Sequence, residues 1–193
     1  MSMNPWGGES NDDKIGLFTI RKSLDGEQTV EYVDKEQFIG VKIGKEEFLL
    51  SIDYVNEIII LPVVTYIPNS PRFVEGVINL RGTILPVINI RKMMGLSKAV
   101  VTSTTRVIVC RDESINFKVG LLVDAITFVV ALLPAEIVQQ TLPSGATDAE
   151  LITRISKSGS VVKGIVDLGK ILHTAAEGRS LSGDDPADDH EAA

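Results

Sequence analysis

The stretch Phe73-Val-Glu-Gly-Val-Ile-Asn-Leu-Arg81-Gly82-Thr-Ile-Leu-Pro-Val-Ile-Asn-Ile90 carries two apolar, β-branched runs that meet at an Arg-Gly pair. It reads as a β-hairpin. Gly82 takes the positive φ that a tight connection demands, and the neighbouring Arg81, too polar to bury without a partner, is pushed out at or near the tip. On these grounds Arg81 is first of all a solvated turn residue, with a docking group as the alternative. Val77, Leu85 and Val87 fall on one phase of the alternation and Ile78, Leu80, Ile84 and Ile88 on the other. Both phases are apolar, so both faces need cover. Either two barrels pack together, or a groove of Val, Ile and Leu is left for a partner such as an amphipathic helix.

Outward from the hairpin the same texture continues. From Gln37 short apolar runs alternate with turn residues every ten or so positions, the pattern of a β-barrel or sandwich. Strands are expected at Phe38–Ile43, Phe48–Ile52 and Glu57–Leu61, with Gly44-Lys45-Glu46-Glu47 turning the first into the second. Ser51 or Asp53 caps a single helical turn before the third. Glu57 follows Val55 with period two, which puts the two on one face. Ser70, Pro71 at a first helical position and Gly76 just past an end predict a short helix over 70–76. After the hairpin, Arg91–Leu96 reads as a helical turn closed by Gly95. Further strands are expected at Arg106–Cys110, Phe117–Val123 and Ala125–Leu133, then a helical turn at Pro134–Gln140. A last hairpin, Leu151–Ser156 with Ser160–Val166, turns at Ser158-Gly159. Asp167 caps a terminal helix bearing Leu168, Ile171 and Leu172 at helical spacing. Asp124, between two apolar runs, must sit at an edge, at a turn, or in a pair.

The ends differ from this body. Residues 1–35 form an extension in which Ile15–Ile20 suits either a strand or a short helix and Leu24–Asp34 a polar connection with a turn at Asp25-Gly26. Trp6 stands in a Gly/Asn/Ser-rich start expected to be mobile. From about Gly178 the chain is acidic and Gly/Ser/Asp-rich, a disordered tail. The net charge of −7 follows this division: residues 1–36 carry −4, residues 173–193 carry −5, and the body is left at +2.

These facts exclude several functions. A body of +2 with few aromatics has no basic, ring-lined face, so nucleic acid is not an expected partner. The most apolar run, Ile58–Val64, is broken by Pro62 and too short to span a bilayer, so no direct membrane insertion is expected. Cys110 has no second cysteine to pair with, as suits a reducing cytoplasm. His173 and His190, the two histidines, are not placed for a triad, and there is no zinc spacing, phosphate loop or dinucleotide fingerprint. No catalytic residue and no cofactor is expected. An enzyme or ligand-binding barrel would need two of Asp53, Asp124 and Asp167 brought together by the fold.

The segments Ile52-x-x-Val55-x-Glu57-Ile58, Ile67-Pro-Asn-Ser-Pro71-Arg-Phe-Val-Glu-Gly76-Val-Ile-Asn79-Leu-Arg81-Gly82-x-Ile84-x-Pro86-Val-Ile-Asn-Ile-Arg91 and Gly120-Leu-Leu-Val-Asp124-x-Ile126 resemble, in order and spacing, the CheW family of bacterial chemotaxis coupling proteins. The resemblance covers roughly residues 36–173. It implies a mainly β fold of two packed SH3-like five-stranded β-barrels with short helices and a C-terminal helix, within a CheW-like domain at 36–176. It implies a non-catalytic adaptor, without cofactor, located in the cytoplasm at membrane-bound receptor arrays. The partners implied are the cytoplasmic hairpin tips of chemoreceptors and the regulatory domain of the chemotaxis histidine kinase, itself a CheW-like module. Carried onto this chain, the protein-binding residues are Val55, Glu57, Asn79, Arg81, Gly82 and Ile84, and the structural motif residues are Pro71, Gly76, Gly120 and Asp124. The long N-terminal extension and the acidic tail depart from the simplest members. They leave room for a paralogue that builds arrays, or serves a pilus-type chemosensory system, without activating kinase.

Overall fold

The computed structural model describes residues 17–24, 27–96, 101–139, 151–158 and 162–178, and of residues 17–33 the backbone alone. Among the described residues thirteen strands and two helices follow in order: β1 Leu17–Leu24, β2 Glu27–Asp34, β3 Glu36–Ile43, β4 Glu46–Ser51, β5 Val55–Ile60, β6 Val74–Leu80, β7 Thr83–Asn89, helix α1 Ile90–Met93, β8 Arg106–Asp112, β9 Phe117–Val123, β10 Ala125–Leu132, β11 Ile137–Gln139, β12 Ile152–Ser156, β13 Lys163–Val166 and helix α2 Leu168–Glu177. Trp6, the turn Asp25-Gly26, Gly159 and the acidic tail lie outside the described residues.

The strands form two large sheets and one ribbon. β5 to β9 make one sheet in the order β5-β8-β9-β7-β6, and the other runs β10-β3-β4-β13-β12-β11. The chain thus enters the second sheet, leaves to build the first, and returns. Each sheet curls on itself. In the five-stranded sheet the register runs Glu57, Val109, Gly120, Val87, Gly76 across successive strands, and Thr65, further along the chain from β5, bridges the adjacent Val77. That displaced closure is what strand tilt in a small barrel produces. In the other sheet the edge strands β10 and β11 are joined by a three-residue 3-10 turn, Pro134–Glu136, so they are two halves of one bent strand. The six-stranded sheet is in this sense five-stranded.

The inner strands β3, β4, β7, β8 and β9 are apolar on both faces because both are largely buried. Ile39, Val41, Leu50, Ile88, Ile108, Cys110 and Leu121 meet Leu168, Ile171 and Leu172 of α2 in a central cluster between the sheets. Alternate residues of the same strands fill two smaller clusters, one per barrel: Ile78, Leu85, Val87, Val107 and Val109 in one, Phe38, Leu49, Leu132 and Ile165 in the other. Burying the Cys110 thiol pushes its pKa up to about 12, so it behaves as a small apolar side chain.

Several expectations need correction. Residues 70–76 are not a helix. Val74 N–H donates to the Pro71 carbonyl in a turn, after which Val74 begins β6, and Gly76 lies within that strand. β6 pairs along its whole length with β7, and that ladder outweighs the local helix signal. Residues 27–34, read as a connection, are strand β2, paired with β1. Of the helical turn expected at Pro134–Gln140, Pro134–Glu136 is a 3-10 turn and Ile137–Gln139 is strand β11, while Gln140 lies outside the described residues. The phase assignment within the hairpin is also revised. A two-residue loop opposes odd and even positions, Ile78 to Leu85 and Asn79 to Ile84, so Ile78, Leu85 and Val87 share a face while Val77 joins Pro86 and Ile84.

Asp124 is paired as its position requires. Its carboxylate accepts from Arg91 Nη1 and from the Gly44 N–H, each at 2.7 Å. It thereby ties the crossing between the sheets to α1 and to the β3–β4 turn. With the Arg91 side chain 14% exposed, Asp124→Ala removes a part-buried charge-assisted link to Arg91 and Gly44 and is expected to cost about 2–3 kcal/mol by denaturant unfolding. A loss near zero would show that the link carries no stability.

Three carboxyls are held below their ordinary pKa: Glu47 chiefly by its hydrogen bond from Lys163, Asp112 by the Ser114 hydroxyl and Glu136 by the Leu133 N–H. A carboxyl with a depressed folded pKa stabilises the fold fully above its unfolded value and loses that contribution as pH falls through the folded one. From the unfolded values of 4.5 for glutamate and 3.8 for aspartate, the melting temperature is expected to hold down to that range and fall beneath it. Thermal melts across acidic buffers check this, and an unchanged melt in acid would contradict it.

Candidate functional site

The hairpin tip is a two-residue loop with both residues at positive φ, Arg81 at 53° and Gly82 at 88°, the geometry of a type I′ turn. The Asn79 side chain accepts from the Gly82 N–H at 2.8 Å and closes the tip, so Asn79 has a turn-forming contact. Gly82 is there for its φ alone: a Cβ would meet nothing within 4 Å. Arg81 projects, its side chain 79% exposed, and Nη2 reaches Glu57 Oε2 at 3.0 Å. Two residues read from sequence as contacts for partners are therefore each other's partner in the isolated protein. The pair lies at the surface, and exposed pairs of this kind contribute ~0–1 kcal/mol. A partner carboxylate can take the guanidinium at little cost.

Val55 and Glu57 do not share a face. Val55 pairs with Cys110 and Glu57 with the next residue, Val109, so Asn56 is the extra residue of a β-bulge. The bulge reverses the alternation: Val55 packs against the central cluster, while Glu57 follows Ile59 toward the cluster of its own barrel. Ile84, near the tip, is 61% exposed. On β5 and just after it, Ile58, Ile60, Val63 and Tyr66 are also exposed. Sequence reasoning missed these four. Their signal was the apolar run from Ile58, which resumes after Pro62 and is longer than one buried strand needs.

The structural motif residues act elsewhere. Gly120 lets β8 approach, since a Cβ there would lie 2.6 Å from Val107 Cγ1. Pro71 anchors the turn before β6. The three aspartates of the enzyme alternative have separate tasks: Asp53 accepts from Ser51, Asp124 from Arg91, and Asp167 caps α2 through the Lys170 N–H. Among the described residues no cluster of His, Cys, Asp and Glu would hold a metal, and no helix is long and apolar enough to cross a membrane.

An exposed arginine at a hairpin tip, an acidic side chain of β5 that it bonds, and exposed Ile, Val and Tyr side chains on and after β5 stand on a scaffold of two packed β-sheets. The CheW-like domain model matches residues 37–176. The chain belongs to that family, and with it to the chemotaxis scaffold proteins rather than to enzymes. It is 32% identical over 160 residues to the chemotaxis protein CheW of Klebsiella aerogenes, covering 81% of this chain and 90% of that one. To the chemotaxis protein CheW of Bacillus subtilis it is 31% identical, covering 75% and 91%. The crystal structure of the scaffolding protein TtCheW from Thermoanaerobacter tengcongensis superposes with a TM-score of 0.61 at 30% identity, over 69% of this chain and 85% of that one. Its SH3-like architecture agrees with the two curled sheets.

Proposed function

We propose that this protein couples chemoreceptors to the chemotaxis histidine kinase, docking receptor hairpin tips and the regulatory domain of the kinase through Val55, Glu57, Asn79, Arg81, Gly82 and Ile84. It does so in the cytoplasm, at receptor arrays. The observation that carries this is Arg81: a charged side chain at a positive φ, where glycine or asparagine is favoured, held out in solvent with only a weak internal partner. Such a guanidinium can fork onto a partner carboxylate or helix-end carbonyls, while neighbouring apolar side chains supply contact area. Titration against a receptor tip fragment and against the kinase regulatory domain tests it, and binding to neither removes it.

A second reading is supported by a 28% identical relative, the protein PilI of Pseudomonas aeruginosa, matched over 58% of this chain. In it the protein binds receptor tips of a pilus-type or purely structural array and leaves kinase activity unchanged. A reconstituted phosphorylation assay with receptor, kinase and this protein separates the two.

A further inference from the structure

Arg81 and the acidic residues after Gly178 are far apart in the chain, yet the fold brings both to one end of the five-stranded sheet. β7 and β9 run parallel, with Val87 opposite Gly120, so the starts of these two strands lie together. Counting back along them sets the tip Arg81-Gly82 level with the turn between β8 and β9. β8 ends at Asp112, opposite Phe117, and His173 of α2 reaches it, Nε2 to Oδ2 at 3.7 Å. α2 packs on β8 and β9 and closes at Gly178, five residues further on. One and a half helical turns, the His173–Asp112 contact and two strand spacings therefore separate Gly178 from the tip, no more than roughly 35 Å. Fully extended, the six to thirteen residues from Gly178 to Asp184 and Glu191 span ~20–45 Å. The carboxylates that follow α2 are within reach of Arg81.

Residues 179–193 hold five carboxylates, Asp184, Asp185, Asp188, Asp189 and Glu191, against one arginine. Acids of the fold at this end are already engaged, Glu57 by Arg81, Asp112 by the Ser114 hydroxyl and Glu113 by Arg111. Arg81 gives Glu57 one bond from Nη2, and most of its five-donor fork faces water. Tethering raises the local concentration of the tail carboxylates to about a millimolar, so even a contact with a millimolar dissociation constant is half filled. From Gly183 to Glu191 the apolar side chains are Pro186 and Ala187, too little to cover Ile58, Ile60 and Ile84. We propose that the carboxylates of residues 184–191 occupy Arg81 in the free protein and act as a built-in competitor of its docking partners. The proposal rests on reading Arg81 as a docking residue. A partner that brings both a carboxylate and apolar area displaces the segment, whereas one that offers charge alone does not. The tail thereby filters partners by their apolar surface.

A nitroxide on full-length Ala187→Cys reports where the segment lies, because Cys110, buried and with its thiol pKa pushed up to about 12, stays unlabelled. Broadening of the Gly82 amide signal is expected. It should vanish in Arg81→Gln, and on raising salt from about 0.01 M to about 1 M, which cuts the screening length from ~30 to ~3 Å. No broadening at Gly82, or broadening that persists in Arg81→Gln, overturns the contact. Broadening seen only between a spin-labelled chain and an isotope-labelled second copy assigns the contact to a neighbour and overturns it too. A receptor tip fragment and the kinase regulatory domain are then titrated separately against the full chain, Arg81→Gln, and a full chain carrying Asp184→Asn, Asp185→Asn, Asp188→Asn, Asp189→Asn and Glu191→Gln. The amide tail is expected to tighten binding about threefold at low salt toward each partner whose affinity falls in Arg81→Gln, and to change nothing when combined with that variant. Unchanged or weaker binding, beside a loss in Arg81→Gln, overturns the competition and leaves the docking site standing. The same gain without the arginine reveals general charge repulsion and also overturns it. If neither partner loses affinity in Arg81→Gln, the docking site itself falls, and the tail's role with it.

Discussion

A methyl group added at Gly76 is expected to cost at least about 3 kcal/mol of folding stability, near the upper end of what single substitutions do. Two effects act together. Gly76 has φ 147°, a conformation that L residues rarely adopt and that strains any replacement. An ideal Cβ there would lie 2.3 Å from the Thr65 carbonyl oxygen and 2.8 Å from Val64 Cγ1. The obstacle is backbone that cannot easily withdraw: Thr65 and Val77 exchange two hydrogen bonds, each 2.8 Å, at the bridge that closes the sheet. Relief requires opening that bridge, and a packed barrel wall has no slack to take up the shift. Gly82 supplies the comparison. It also has positive φ but no neighbour within 4 Å, so Gly82→Ala is expected to cost only about 1 kcal/mol. Urea midpoints at unchanged m-value measure both. Equal losses for the two variants would show that the Thr65 crossing is free to move.

What sequence revealed and what it hid follow from how far each signal reaches. The hairpin was legible because its turn chemistry and its β-branched runs lie within a few residues of one another, and the cap at Asp167 was legible for the same reason, while the choice between Ser51 and Asp53 was settled only by the backbone, in favour of Ser51. The buried double faces were also legible, since apolar residues on both phases leave no solvated side. The helix expected at 70–76 failed where a local cap pattern competed with a long-range strand pairing, and the pairing won. The bulge at Asn56 was invisible because an extra residue in one strand shows only against its partner, Val109 and Cys110, some fifty positions away. The same limit hid the Arg81–Glu57 contact: both residues were chosen as candidates, yet no spacing rule connects them. β2 was obscured by its polar composition, and its pairing with β1 emerged only in the register.

Arg81→Glu is expected to weaken partner binding at least about tenfold while the thermal melt changes little, since surface substitutions usually cost within ~0.5 kcal/mol. Stability alone would not place arginine here. The first position of a type I′ turn favours asparagine or glycine, and an L side chain in the left-handed region costs ~1 kcal/mol. The exposed pair with Glu57 returns no more than that. Arg81→Gly is therefore expected to leave the melt level or slightly higher while losing affinity as the glutamate variant does. The double variant Glu57→Arg with Arg81→Glu separates internal pairing from recognition, because it rebuilds the ion pair with its polarity reversed. If the guanidinium serves a partner, the double variant melts like the parent and still binds weakly. Recovery of affinity on reversal would mean that Arg81 and Glu57 serve each other, and that the partner reads some other part of the tip.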